Sequence, residues 1–408
     1  MKLRCESHPK TSCERRVQTL GLLLTRINEW ETCMQEMKVG FHGHVRQYHQ
    51  FKPAIDAAIH EVLESGIYVL GPKLERFERE LADYCRMKEA VGVNSGTDAL
   101  WLVLKALGVG PGDEVIIPAN TYFATAEAIW IAGATAVFVD IDPETLNVDP
   151  RLIESAITDK TKAIIAVHLY GQPARMREVT AVAKKHNLFA IEDGAQAMGA
   201  RGDDFQLAEL STAMCTSFTP QKSLGCYGDG GAVLTNQPDL AERLRKLRNH
   251  GSIQRGFYSM GYNSRLDEIH AAVLSVKIKE LERWIDRRRM RAREYEEGLT
   301  GTSLRIPHTV PGFRHAYQFF VVEAEDRDGL QAHLGSMGIT TFAHHPLAIH
   351  QQAEFPWGQS ARIAGSLEHT ERSAGRVISL PLYPEMTDEE IKYVIRAIIA
   401  WDHTRRVP

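Results

Sequence analysis

The chain has 408 residues, of which 44% are hydrophobic and 25% charged, and this balance predicts a globular protein of about two domains. A formal net charge of −4 provides no basic field for nucleic acid, and no apolar stretch approaches the roughly 18 residues that a membrane span needs. The six cysteines form no CxxC pair, so we expect free thiols, no metal site and a reducing, cytoplasmic environment.

The first 36 residues differ from the rest of the chain. They hold three of the six cysteines, and two arginines precede a short apolar run there. A signal peptide would need a longer apolar core and a clear cleavage site of small residues. We therefore expect a poorly ordered extension, with the globular pattern beginning after Met37.

The next part of the chain alternates between helical and strand-like patterns. Apolar residues at helical spacing predict helices over residues 51–63, 74–84 and 97–107, with Gly66 and Gly108 as C-terminal caps. Short apolar segments rich in β-formers predict buried strands at residues 90–93, 115–117, 136–139, 163–167, 188–191 and 232–234. This alternation predicts an α/β fold with a mostly parallel sheet between helices, in which ligands bind beyond the carboxyl ends of the strands.

The pattern changes after residue 260. A long helical stretch covers residues 266–299 and is followed by a strand (319–323), a helix (328–337), a strand (339–342) and a final helix (388–401). We expect three parts: an extension (1–36), a large α/β domain (37–260), and a connecting helix with a smaller α+β domain (261–408).

The segment Ser95-Gly96-Thr97 lies between a predicted strand and a predicted helix. Backbone N–H groups at a helix N-terminus, flanked by hydroxyls and by a glycine that allows close approach, can bind a phosphate group. Taken alone, the same three residues also fit an ordinary helix cap.

Two further strand ends carry candidate groups. Tyr122 follows the strand at 115–117 and could stack on a flat heterocycle, although a single aromatic there also fits the core. Asp193 ends the strand at 188–191, where a carboxylate could pair with a protonated pyridine nitrogen, and Gln196 follows it.

Lys222 follows Ser217 in a segment that reads as a strand end and a turn, and glycines 228, 230 and 231 come soon after. The spacing excludes a P-loop, since no glycine directly precedes the lysine. A lysine in such a turn, with an acid on a preceding strand end, is what pyridoxal phosphate chemistry requires, because the lysine attaches covalently to the cofactor aldehyde.

Longer motifs carry a resemblance to a known family. These are Ser65-Gly66-Ile67-Tyr68-Val69-Leu70-Gly71-Pro72, Gly92-Val93-Asn94-Ser95-Gly96-Thr97-Asp98-Ala99-Leu100, His168-Leu169-Tyr170-Gly171-Gln172-Pro173, the segments of Asp193 and Lys222, and Gly261-Tyr262-Asn263-Ser264-Arg265-Leu266-Asp267. From residue 37 to residue 401 the chain resembles the DegT/DnrJ/EryC1/StrS aminotransferases, which transfer an amino group to nucleotide-linked sugars and have the type I pyridoxal phosphate fold.

The resemblance implies a role for each matching residue. Lys222 would be the catalytic lysine, Asp193 would bind the pyridine nitrogen, and Gln196 would lie on the ring-hydroxyl side. Tyr122 would stack on the ring, and Gly96, Thr97 and Ser217 would hold the phosphate. Asn263 would reach the phosphate of a neighbouring subunit, which implies a homodimer with shared active sites.

The same resemblance narrows the expected reaction. Family members that act as dehydratases carry histidine at the position of Lys222, and the run from Lys222 to Gly231 is similar to members that aminate keto-deoxy nucleotide sugars. The stretch His168–Gln172 is similar to members that aminate a 3-keto sugar, with glutamate as the expected donor. However, His344-His345-Pro346 departs from the usual His-Tyr-Pro, so the sugar stays open. The alternatives are a sensor on the same fold and a sugar dehydratase.

Overall fold

The computed structural model describes residues 37–252, 258–353 and 357–406, and the N-terminal extension lies outside this range. An eight-stranded sheet forms the centre, in the order β1-β7-β6-β5-β4-β2-β3-β9. Its strands are β1 (Glu89–Val93), β2 (Glu114–Pro118), β3 (Thr135–Val139), β4 (Thr161–Val167), β5 (Phe189–Asp193), β6 (Ala213–Ser217), β7 (Gly231–Thr235) and β9 (Ala361–Ile363).

One strand of this sheet runs in the opposite direction to the others. β7 is antiparallel to both of its neighbours, β1 and β6, whereas the remaining neighbouring pairs are parallel. In the register, Gly231 at the start of β7 lies between Val93 and Ser217, which are the last residues of β1 and β6. The amino end of β7 therefore meets the carboxyl ends of the parallel strands at one edge.

Helices cover both faces of the sheet and bury two hydrophobic clusters. In β2, Ile116 belongs to one cluster while Val115 and Ile117 belong to the other, as the two-residue period of a strand requires. The helices that precede and surround the sheet are α1 (His44–Ser65), α2 (Pro72–Cys85), α3 (Gly96–Ala106), α4 (Phe123–Ala132), α5 (Pro150–Ala156), α6 (Met176–Lys185), α7 (Pro238–Leu247) and α8 (Glu268–Lys277).

The C-terminal part forms a separate cluster around a two-stranded antiparallel sheet of β8 (Phe320–Glu323) and β10 (Val377–Leu380). Its helices are α9 (Leu281–Gly298), α10 (Arg327–Ser336), α11 (Trp357–Ser360), α12 (Glu368–Arg376) and α13 (Asp388–Arg406).

Among the contacts between this part and the rest of the chain, two involve an exchange of segments. Val39 packs in the C-terminal cluster and pairs with Ile339. In the other direction, β9 joins the large sheet beside β3, where Arg362 donates two hydrogen bonds, of 2.9 and 2.7 Å, to the Glu114 carboxylate.

The predicted α/β fold with a mostly parallel sheet and a smaller α+β part is confirmed, with three local differences. The long helix is divided into α8 and α9 by a 3₁₀ turn at Ile278–Glu280. Residues 339–342 make isolated bridges to Val39 and Ser379 and form no strand, so that prediction was wrong. β9 and β10 were not predicted, because three or four residues are too short for a periodic signal. The three-part division at residues 36 and 260 stays a prediction.

Three cysteines fall within the described residues, and all three are buried free thiols: Cys85, Cys215 and Cys226. Over the same part of the chain, no helix combines the length and the hydrophobicity that crossing a bilayer would demand. The cytoplasmic location stays a prediction.

Glu268, at the start of α8, binds the N-terminus of α2. Its carboxylate accepts hydrogen bonds from the backbone N–H groups of Gly71 (3.0 Å), Lys73 (2.8 Å) and Leu74 (2.8 Å). These donors precede the first intrahelical bonds of α2, and an anion is favourable at the positive end of a helix. Since Glu268 is only 1% exposed, the carboxylate supplies acceptors that water cannot replace.

We expect Glu268→Gln to lower the free energy of unfolding by about 2–3 kcal/mol, because the amide removes the charge and places an N–H₂ group against backbone donors. Urea unfolding at neutral pH measures the change. Asp267→Asn is the matched control, because this neighbour is exposed and its side chain caps no helix. We expect it to lower the free energy of unfolding by less than about 1 kcal/mol. A Glu268→Gln protein as stable as the wild type would contradict the interpretation.

Candidate active site

A cavity of about 690 Å³ opens at the sheet edge where the strand ends meet. The ends of β1, β2, β5 and β6 contribute Ser95, Tyr122, Asp193 and Ser217 to its wall, and Lys222 projects into it. The C-terminal part and the segment before α1 close the other side with Phe41, His42, His44, Phe319, Phe342, His344 and His345.

The loop from β1 into α3 forms a phosphate cradle, defined here as residues 95–97 with Ser217. Ser95 caps α3 by accepting a 3.0 Å hydrogen bond from the amide of Asp98, and the first intrahelical bond of this terminus runs from Ala99 to Ser95. The amides of Gly96 and Thr97 precede that bond, so they have the position of anion-binding donors. A Cβ on Gly96 would lie 2.7 Å from the Cβ of Ser217, so only glycine lets the two chains approach this closely.

Asp193 is held in one orientation by two direct hydrogen bonds. Its Oδ2 accepts a 2.7 Å hydrogen bond from the hydroxyl of Thr125, which also lies 2.9 Å from the Thr121 hydroxyl. Its Oδ1 accepts from the amide of Ala195 at 3.1 Å. The carboxylate is almost fully buried, and these bonds hold it in place where it lines the cavity.

Lys222 lies opposite, in the lysine turn, which we define as residues 219–226. Its own amide donates a 2.9 Å hydrogen bond to Thr219, and the amide of Cys226 donates to Phe218 at 2.8 Å. Burial lowers the pKa of Lys222 to about 8, against the partly opposing effect of the Asp193 carboxylate. A substantial fraction of the amine is therefore neutral near physiological pH and can act as a nucleophile or a base.

Gln196 and Tyr122 both line the cavity. The Oε1 of Gln196 accepts a 2.7 Å hydrogen bond from the Tyr170 amide, which leaves the NH₂ end of the side chain as the one available to a ligand. The Tyr122 ring is 63% exposed and lies 6.1 Å from the ring of His345, so it is not part of the core.

The wall formed by the C-terminal part and the segment before α1 is rich in histidine. Burial lowers the pKa of His344 to about 3 and those of His42 and His345 to about 4, and neighbouring basic groups add to each effect. The pKa of His44 is also lowered, first by burial. The ring of His344 packs on Phe319 at 4.0 Å, and its Nδ1 lies 2.7 Å from the Ser379 hydroxyl. This wall offers neutral hydrogen-bonding rings and no fixed charge.

The structure brings seven of the eight predicted site residues to this cavity: Gly96, Thr97, Tyr122, Asp193, Gln196, Ser217 and Lys222. Asn263 is the exception. It is exposed, pairs with Asn249, and does not line the cavity of its own chain. Its role towards a second subunit stays a prediction.

Sequence reasoning missed several residues of the site. Thr125 lies one helical turn after Thr121, so the spacing from the end of β2 could have indicated it. Thr219, two residues after Ser217, could have been included with the strand end. Nothing in the local pattern indicates Phe41, His42 or Phe319, because they reach the cavity only through the packing of the C-terminal part.

The sheet with its reversed strand, the cradle at a helix N-terminus, and a lysine facing a carboxylate define the class of the pyridoxal phosphate-dependent aminotransferases. The chain belongs to the DegT/DnrJ/EryC1/StrS aminotransferase family, whose model matches residues 50–399. This confirms the resemblance seen in the sequence motifs.

Two relatives and one solved structure illustrate the similarity. The dTDP-3-amino-3,4,6-trideoxy-alpha-D-glucose transaminase of Streptomyces venezuelae is 45% identical over 87% of this chain and 93% of its own length. A pleiotropic regulatory protein of Geobacillus stearothermophilus is 46% identical over 86% of this chain and 95% of its own. The crystal structure of S. venezuelae DesV has a TM-score of 0.88 at 44% identity and covers 91% of this chain and 100% of that one.

We expect the reaction of Lys222 with an amine-selective reagent to rise with pH through a midpoint of about 8, because only the neutral amine reacts. Asp193→Asn should move the midpoint lower, since the carboxylate stabilises the ammonium form. Peptide mass mapping of the cofactor-free protein measures the labelled fraction, with the exposed Lys184 as internal reference. In denaturant the midpoint of Lys222 should return to about 10.4. A native midpoint at that same value would contradict the assigned environment.

Proposed function

We propose that this protein is a pyridoxal phosphate-dependent aminotransferase that moves an amino group from an amino acid to a nucleotide-linked keto sugar. The observation that carries the proposal is one cavity with three parts: the phosphate cradle, the buried Asp193, and Lys222 with its lowered pKa. Membership of an aminotransferase family supports the same assignment.

The residues present fit pyridoxal phosphate. The cradle offers backbone N–H groups and the hydroxyls of Thr97 and Ser217 to a phosphate, and glycine at position 96 leaves the space that a Cβ would fill. Asp193 and Lys222 lie in the same cavity, as a pyridine nitrogen and an aldehyde would require. When bound, the cofactor supplies the aldehyde that carries the amino group and a ring that takes up the electrons of a carbanion.

Lys222 performs the proton transfers in this proposal. In the loaded enzyme the freed Nζ would be a largely buried amine, and its lowered pKa favours the neutral form. It can take a proton from the donor's α-carbon and return it on the same face, and the acceptor half of the reaction uses these steps in reverse. A pKa of about 8 is close to the operating pH, which suits a group that must act in both directions.

The other site residues orient the reaction. Asp193, fixed by Thr125, keeps the pyridine nitrogen protonated. Gln196 presents its NH₂ group to the ring-hydroxyl side, and the exposed ring of Tyr122 is placed to stack on the cofactor.

The histidine-rich wall supports a sugar as acceptor. Neutral imidazoles both donate and accept hydrogen bonds, as recognition of hydroxyl groups requires. The relatives include enzymes named for amination of nucleotide sugars at C3, in the dTDP and UDP series. We propose the same carbon here, with glutamate as the donor.

We also propose a homodimer with shared sites. Large apolar side chains are exposed near Asn263, and Met260 is 90% exposed. Tyr68 and Val69 are also exposed, and Val69 pairs with Asp267, four residues after Asn263. Exposed apolar side chains in neighbouring segments are typical of an interface, and isologous pairing would bring one subunit's Asn263 to its partner's cradle.

We expect Lys222→Ala to abolish turnover, a loss of at least about 10⁴-fold, and to remove the visible absorbance of the lysine-bound cofactor. Lys184→Ala, at an exposed position outside the cavity, is the matched control. Full turnover in Lys222→Ala would refute the mechanism.

The two alternative functions give different results in one experiment. The wild-type protein with glutamate should convert its cofactor spectrum to the pyridoxamine form, and a keto sugar should reverse the change. No change with any amino donor would favour a sensor, an outcome to consider because one relative is named a regulatory protein. Loss of water from a deoxy sugar without amine transfer would favour a dehydratase.

A mixing experiment tests the shared sites. Asn263→Ala and Lys222→Ala should each have low activity alone, whereas refolding the two together should restore about a quarter of wild-type activity. Random pairing makes half of the dimers mixed, and each mixed dimer has one intact site. If Asn263 acted within its own chain, mixing would restore nothing.

A further inference from the structure

The lysine turn has few hydrogen bonds of its own around Lys222. The amide of Ser223 and the carbonyl of Gln221, the groups on either side of the lysine, bond outside the turn. The orientation of Lys222 therefore depends on the side chain that forms hydrogen bonds with these two groups.

Both are satisfied by one side chain, that of Gln318. Its Oε1 accepts from the Ser223 amide at 2.7 Å and from the Ser223 hydroxyl at 2.9 Å, and its Nε2 donates to the Gln221 carbonyl at 2.6 Å. Gln318 is only 2% exposed, so water does not compete for these bonds.

The backbone at Gln318 is itself fixed. Arg288, on α9, donates from Nη1 to the carbonyls of Tyr317 (3.2 Å), Gln318 (3.3 Å) and Leu382 (2.8 Å). On the other side, a Cβ on Gly171 would lie 2.8 Å from the Gln318 nitrogen, so this segment packs directly on the loop after β4. Gln318 thus connects the lysine turn to the start of β8, next to Phe319 in the cavity wall.

We propose that Gln318 is a positioning residue for Lys222: it fixes the peptide groups on both sides of the lysine and connects them to the C-terminal part that closes the cavity. The inference deepens the proposed function and rests on the role of Lys222 given there. Gln318 does not line the cavity, so it acts through the lysine turn and not on a ligand.

Release of the lysine turn from Gln318 would change the environment of the Lys222 amine. The charged and titratable groups that face it are Asp193, His344 and His345. A turn released from Gln318 would let Nζ move towards solvent, which favours the ammonium form.

Gln318→Met tests this, because methionine keeps the length and volume of glutamine but makes none of the three hydrogen bonds. In the full-length cofactor-free protein, we expect the midpoint for amine labelling of Lys222 to rise by about one unit, and labelling at pH 7.5 to slow roughly eightfold. In the loaded enzyme kcat should fall about tenfold, with KM for the donor within about twofold.

Gln172→Met is the matched control. Gln172 is equally buried and also makes three hydrogen bonds, to Thr145, His308 and Val310, but none to the lysine turn. It should lower the melting temperature to a similar extent and leave the labelling midpoint of Lys222 in place. An unchanged midpoint in Gln318→Met, or an equal rise in both variants, would overturn the proposal.

Gln318→Glu covers the case in which the methionine variant does not fold. This variant keeps the acceptor for Ser223, loses the donor to Gln221 and adds a negative charge near Lys222. We therefore expect the midpoint for amine labelling of Lys222 to rise again. An unchanged midpoint here would equally overturn the proposal. Failure of the proposed function has a separate signature, namely turnover that survives Lys222→Ala while the Gln318 variants still shift the labelling midpoint.

Discussion

The active site depends on a close approach of backbones at the start of the reversed strand β7. A Cβ on Gly231 would lie 2.4 Å from the carbonyl carbon of Ser95 and 2.7 Å from the amide nitrogen of Gly96. With any side chain at 231, the β1–α3 loop would have to move away from β6. Because glycine occupies both 96 and 231, the cradle reaches Ser217, and the ends of β1, β6 and β7 become one surface.

Charge in the cavity follows from this arrangement. Asp193 is surrounded by fixed hydrogen-bond donors, whereas burial shifts Lys222 and the histidines towards their neutral forms. The result is one carboxyl group held by donors, one amine whose pKa is lowered to about 8, and a wall of uncharged rings. Under the proposed function, these three surfaces would serve cofactor electronics, proton transfer and sugar recognition separately.

The sequence predicted the parts of the site that follow local rules. Asp193 was found because it ends an apolar run, and Gly96 because it starts an amphipathic helix, whereas the role of Ser217 came from the family resemblance. Family motifs were also needed for Asn263, since no periodicity marks an exposed residue of this kind.

What the sequence did not predict depends on contacts between distant segments. Thr125 orients Asp193 across 68 positions, and Gln318 bonds to Ser223 across 95. Neither residue is unusual in its own neighbourhood, and both acquire their roles only when the sheet and the C-terminal part pack together. The break between α8 and α9 was also not predicted, because the residues on both sides of the 3₁₀ turn have helical periodicity.

The exchange of segments between the two parts of the molecule bears on how such a protein can evolve and be engineered. Val39 lies near the start of the described chain yet packs with C-terminal residues, while β9 comes from the C-terminal half and forms an edge of the large sheet. A cut near residue 260 would leave each fragment lacking a piece of its own core. The C-terminal part is therefore a poor unit for exchange between relatives. Under the proposed function, substitutions along the histidine-rich wall are the more direct way to change the acceptor.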